Sequence, residues 1–156
     1  MTEVVLLGAD DISIRAELLS RETSREALAA YDITQPYENS IHIETLSIGT
    51  AVALLNDINW HITRFVKQSL VRDTSIGKDE WLSRSLAEKV RAGEQDPDET
   101  GEYLMIYGVK EDSPVDQKRL VEPLYVRRSE EETPEYDLQD VDDTVIVRIT
   151  EDEFTG

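Results

Sequence analysis

The sequence contains no cysteine, which removes disulfide bridges and thiolate chemistry from consideration. It also lacks any long apolar run: the longest uninterrupted stretches are a few residues, far short of the ~20 that a membrane-spanning helix needs. The first residues, Met1-Thr2-Glu3-Val4-Val5, carry neither a basic segment nor an apolar core of signal-peptide length. The protein is therefore expected to be soluble and cytoplasmic. Positive charge is the scarcest commodity, with 16 Lys and Arg against 34 Asp and Glu, a net charge of −18. Arginine supplies eleven of those sixteen bases.

Charge of one sign spread over a folded surface repels itself at low ionic strength. In molar salt the Debye length contracts to about 3 Å and the repulsion largely vanishes, so the composition suits a salt-rich cytoplasm. Acidity argues against nucleic-acid binding, which relies on basic patches and counterion release. That argument weakens in molar salt, so nucleic acid is an unfavoured partner and not an excluded one. The low apolar fraction, 39 %, is what an acidified surface leaves. Disorder is the competing reading of such a composition, but the apolar residues are periodic over most of the chain.

At 156 residues a hydrophobic core is possible without disulfides or metal. Residues 1–150 are expected to form a single α+β domain, with residues 151–156 a frayed acidic tail. Val4-Val5-Leu6-Leu7, ending at Gly8, reads as a buried strand. Ile12, Ala16, Leu19, Thr23, Ala27 and Ala30 follow at helical spacing, in one helix or two. The capping box Thr23-Ser24-Arg25-Glu26 marks the place for a restart. Ile41 to Ile48 reads as a strand. Ala51, Leu54, Leu55, Ile58, Ile62, Phe65, Val66 and Leu70 describe one apolar face, predicting a long amphipathic helix over 50–71. A further helix is expected from about Asp79, with Trp81, Leu82, Leu86 and Val90 inward and Gly93 as its C-cap. Strands are expected at 103–107, 120–126 and 144–149. Pro123 places the second of these at an edge or a bulge. The expected architecture is a mixed or antiparallel sheet of about five strands covered by two to four helices.

Few residues form chemically suggestive groups. Asp57, His61 and Arg64 combine acid, imidazole and guanidinium on one predicted helix face and are the first binding candidates. Asp57 and His61, four apart, have a spacing that suits two metal ligands, but nothing nearby completes a set, and surface pairing explains them more simply. No metal site or cofactor is assigned. Arg21 and Arg25, from the repeated Ser-Arg-Glu, stack four apart and suit a carboxylate or another anion; intrahelical pairing with Glu17, Glu22 and Glu26 is the simpler account. Arg127-Arg128 and Lys118-Arg119 are explained as neutralising the acidic stretch 129–143. That stretch includes Asp137, Asp140, Asp142 and Asp143, yet lacks the glycine and ligand alternation of a calcium loop. The strand followed by Asp10-Asp11, with Asp57 and Lys110 downstream, resembles a response-regulator receiver. Against that, Asp57 falls within a helical pattern, and the C-terminal strands lack intervening helices. No G-x-S-x-G, P-loop, H-E-x-x-H or G-x-G-x-x-G is present.

The strings Glu17-Leu18-Leu19-Ser20-Arg21-Glu22-Thr23-Ser24-Arg25-Glu26-Ala27-Leu28 and Leu54-Leu55-Asn56-Asp57-Ile58-Asn59-Trp60 resemble a small family of acidic proteins of unknown function from halophilic archaea. Glu80-Trp81-Leu82-Ser83-Arg84 and Val121-Glu122-Pro123 extend the resemblance, which implies salt adaptation and no catalytic residue.

Three readings of function follow. The first is a non-enzymatic binding or regulatory protein, self-associating as a homodimer through a strand edge or binding another protein. The second is a small enzyme or ligand-binding protein, which requires Asp57, His61 and Arg64, with Arg21 and Arg25, to converge on a pocket. The third is a nucleic-acid-binding accessory protein, which requires an exposed stacking platform such as Trp60, Tyr103 or Tyr107 beside arginines.

Overall fold

A computed structural model describes residues 2–77, 79–110, 118–128 and 143–155. Seven strands and six short helices occur among these residues. In chain order they are β1 Thr2–Gly8, α1 Ile14–Ser20, α2 Glu22–Leu28, β2 Ser40–Thr45, α3 Ile48–Asp57, α4 Asn59–Phe65, β3 Val66–Asp73, β4 Glu80–Ser83, α5 Arg84–Arg91, β5 Tyr103–Lys110, β6 Arg119–Arg127, β7 Asp143–Ile149 and α6 Glu151–Thr155. The strands form one mixed sheet in the order β2-β1-β3-β4-β7-β5-β6. Only the β4–β7 pair is parallel among these pairings.

This corrects the expected fold class. The sheet has seven strands where about five were expected, and the longest helix, α3, has ten residues. The long helix expected over 50–71 does not form. Ile58 leaves helical geometry at φ −107°, ψ 19°, and a new turn starts at Asn59. From Val66 the chain is extended as β3, pairing with β1 on one side and β4 on the other. Asn56, Asp57 and Asn59 are weak helix formers, and Val66 and Val71 are β-branched. Leu70 and Val71 are both fully buried but belong to opposite faces of the sheet, a placement that a strand permits and a one-faced helix does not.

The same physics shortens the next element. Trp81 and Leu82 were expected inside a helix beginning near Asp79; they lie in β4, on opposite sheet faces. Ser83 then caps α5, its hydroxyl accepting from the Leu86 N–H at 3.2 Å. The other end of α5 is as the sequence suggests. Gly93 takes φ +78°, and the N–H groups of Gly93 and Glu94 donate to the carbonyls of Val90 and Lys89, a Schellman closure. The segment from Glu151, expected to fray, forms α6, with Phe154 packed near Tyr103 at 5.0 Å between ring centroids. Pro123 sits in β6, an edge strand, opposite the pairing irregularity between Ile106 and Gly108. The acidic residues Asp137, Asp140 and Asp142 lie outside the described residues.

Two cores result. On one face Val4, Leu6, Ile41, Ile43, Val71 and Leu82 meet the inward side chains of α1 to α5, among them Leu18, Leu28, Leu55, Ile58, Ile62 and Leu86. On the other, Val5, Leu7, Leu70, Trp81, Met105, Tyr107, Val145, Val147 and Ile149 pack together. β1 and β5 are separated by three strands, so their shared cluster means that the sheet curls around this second face. The Gln68 amide reaching Met105 Sδ at 3.9 Å and the Glu38 N–H donating to the Lys118 carbonyl at 2.7 Å span the same concavity.

Candidate functional site

The break between α1 and α2 is the first determinant of the site. Arg21 is extended there (φ −104°, ψ 129°), and the buried Ser24 hydroxyl fixes the corner by bonding the Leu18 carbonyl at 2.5 Å. The corner directs Arg21 toward α4, where its guanidinium lies 4.8 Å from the Phe65 ring centroid and 5.4 Å from that of Trp60. Its Nη2 donates to Glu17 Oε2 at 3.1 Å. Within α4, Trp60 and Arg64 are one turn apart, and the Arg64 guanidinium covers the indole at 3.9 Å. Arg64 is anchored by donating to the Trp60 carbonyl at 2.9 Å. His61 meets Trp60 edge-on at 5.0 Å. The outcome is an indole, half exposed at 49 %, with two guanidinium groups near its ring and a buried imidazole in edge-on contact.

His61 is only 5 % exposed, and its Nδ1 has no hydrogen-bond partner. Burial, followed by the positive charges of Arg21 and Arg64, lowers its pKa below the ordinary 6.5. The ring is thus neutral at neutral pH, and its apolar body supports Trp60. Arg21 Nε is likewise buried without a partner. Of the five residues singled out from sequence, Arg21, His61 and Arg64 come together around Trp60. Asp57 is exposed at the end of α3, and Arg25 is exposed in α2. Phe65, read from sequence as part of the core face, is a member of the cluster.

A second group includes Arg128, noted from sequence in the Arg127-Arg128 pair, but Glu80 and Arg148 carried no sequence signal. Glu80 accepts from Arg128 Nη2 at 2.6 Å and from Arg148 Nε at 2.7 Å, and all three side chains are mostly buried. Parallel pairing of β4 with β7 sets Leu82 opposite Arg148, bringing together residues 68 positions apart. Burial would raise the Glu80 pKa, but the bonds and charges of Arg128 and Arg148 outweigh it and hold the group below the ordinary carboxylate value. These arginines border an open cleft of about 1180 Å³ with Gln95, Glu102 and Arg127. Arg127 pairs with Glu102 at 2.6 Å, so among the described residues Arg127 and Arg128 pair with Glu102 and Glu80; of the acidic stretch 129–143 that they were expected to neutralise, residues 129–142 lie outside the described residues. A carboxylate locked as an anion by two guanidinium groups is a poor proton donor, and the network acts as a tie between β4, β7 and the end of β6.

No described helix is long and apolar enough to cross a membrane. No curated protein and no solved structure matches the chain. A family model does match, over residues 2–109; that span holds Trp60 and its neighbours and stops short of Val121-Glu122-Pro123. The chain belongs to the family of unknown function DUF5804.

Proposed function

We propose that this is a non-enzymatic binding or regulatory protein of a salt-rich cytoplasm, which engages a protein partner through the α1–α4 face centred on Trp60. The observation that carries the reading is the half-exposed Trp60 flanked by Arg21 and Arg64. Tryptophan and arginine are the residues that dominate binding energy at protein interfaces, and this chain has only two tryptophans. The packing of Arg64 over the indole favours a protein over a nucleic acid, because it occupies a ring face on which a base would stack. An enzymatic reading has less support, since Asp57 and Arg64 are exposed while His61 is buried. Trp60→Ala is expected to weaken capture of a discrete protein from native high-salt lysate by about 30-fold, the scale of a 2 kcal/mol hot spot, with the melting temperature little changed. Equal capture by wild type and variant, or nucleic acid in place of protein in the eluate, would overturn the reading.

The salt-rich setting rests on the net charge of −18. Melting temperature is accordingly expected to rise steadily from low salt to molar potassium chloride as self-repulsion is screened. A melting temperature indifferent to salt contradicts this. Self-association as a homodimer is a second reading, favoured by β6, which among the described residues lies at the edge of the sheet and pairs with β5 alone. Light scattering in molar potassium chloride is expected to give twice the monomer mass; a monomer at micromolar concentration rejects the dimer.

A further inference from the structure

The polar end of the concave sheet face holds a group that neither the Trp60 patch nor the Glu80 network uses. Glu3 on β1 pairs directly with Glu44 on β2, and His42 lies two residues before Glu44 on the same strand. Side chains two apart on a strand share a face, so the cross-strand pair and the i, i+2 spacing converge all three groups. One ligand atom from each lies within 4.8 Å of the other two. His42 Nε2 is 2.9 Å from Glu3 Oε1. His42 Nδ1 is 3.1 Å from Thr34 Oγ1, and this contact is held by a two-way backbone pair between Thr34 and His42. Arg72 Nε donates to the other Glu3 oxygen, Oε2, at 2.7 Å.

The geometry points to a binding site for one divalent cation of the zinc class at Glu3, His42 and Glu44, with a further position open to solvent. Imidazole with carboxylates is a donor set for borderline transition cations, whereas calcium and magnesium take oxygen ligands alone. Ligand distances of about 2.0–2.2 Å in a tetrahedron set the donor atoms roughly 3.4 Å apart. The Glu3–His42 contact is shorter than this and no separation exceeds 4.8 Å, so shifts of roughly an ångström convert the group into a site. Glu44 is exposed and free to make its share of that shift. Two carboxylates and a neutral imidazole balance the charge of the ion. The supporting contacts are those that ligands need. Thr34 orients the imidazole through its non-ligating nitrogen, and Arg72 holds the Glu3 oxygen facing away from the site. In the ligating form the neutral ring carries its one proton on Nδ1, donated to Thr34 Oγ1, and Nε2 gives its lone pair to the metal.

The test is isothermal titration of the chelator-treated full chain with zinc chloride in molar potassium chloride, where diffuse attraction to the acidic surface is screened. One equivalent is expected to bind. Cobalt in place of zinc is expected to give the visible absorption of a low-coordinate site. His42→Gln and Glu44→Gln are each expected to lower affinity by about 100-fold or more, and Thr34→Val by about 10- to 100-fold at unchanged stoichiometry. His61→Gln, at the other histidine, is expected to change nothing. No zinc binding, binding unaffected by either ligand substitution, or equal competition by magnesium overturns the site. If His42→Gln does not fold, Glu44→Gln decides, because its side chain is exposed.

Discussion

Replacing Glu80 by alanine is expected to destabilise the protein by about 3–5 kcal/mol, the cost of leaving buried charge uncompensated. Glu80 is 17 % exposed and neutralises Arg128 and Arg148, themselves 13 % and 16 % exposed. Removing it leaves two guanidinium groups facing each other in a partly desolvated site. Arg148 retains Thr100 Oγ1 at 2.9 Å, whereas the only side-chain bond described for Arg128 is the one to Glu80. Arg128→Ala is therefore expected to cost less than Glu80→Ala, since Arg148 still compensates the carboxylate. The effect also carries a pH signature. The folded pKa of Glu80 lies below its ordinary 4.5, so the unfolded chain binds the proton more readily. The stabilisation is complete above about pH 4.5 and drains away as pH falls through the folded value. Urea unfolding of wild type and Glu80→Ala should show a gap that is constant near neutral pH and narrows in acid. A pH-independent gap, or one under about 1 kcal/mol at pH 7, contradicts the assigned role.

Leu55→Ala is expected to cost about 2–5 kcal/mol, the range for a large-to-small change in a core that cannot collapse around the void. Leu55 has no exposed surface and belongs to the core between α3, the flanking helices and β1. Leu46→Ser, nine residues earlier, serves as the contrast. Leu46 is 83 % exposed between β2 and α3, and its loss should stay within about 0.5 kcal/mol. The denaturation midpoint of the first variant is expected to fall sharply while that of the second stays near wild type. Similar losses in the two would mean that α3 does not pack as described.

Several local features were legible in the chain because their causes are local. Gly93 closes α5 because a left-handed residue there is cheap only for glycine. The helix restart falls at Glu22, before the expected capping box, and its cause was not legible: the N-cap is Arg21, with no side-chain capping bond, and the Ser24 hydroxyl bonds back to the Leu18 carbonyl. Pro123 marks an edge strand because it cannot donate to a ladder on its outer side. The apolar pattern over Ala51 to Ile62 marks a face that is buried, and those positions are buried.

The pattern could not reveal where helix gives way to strand. Val66 and Leu70 continue a helical period by coincidence of spacing, and the choice falls to β3 because β1 needs a second neighbour. With β2 on one side, unpaired backbone groups of a buried central strand would cost more than the helix could return. The candidate site follows the same division. Arg21, His61 and Arg64 could be named from residue type, but their meeting around Trp60 depends on the corner at Arg21 and the restart at Asn59. Glu80 with Arg148, and Glu3 with His42, are brought together by strand pairing across 68 and 39 residues. By itself the sequence determined the charge, the lack of thiols, the caps and the inward positions, all properties of single residues or short windows. Strand order, the curl of the sheet and every charged cluster were decided by tertiary structure, because pairing energy depends on which strand arrives alongside, and no short window encodes that.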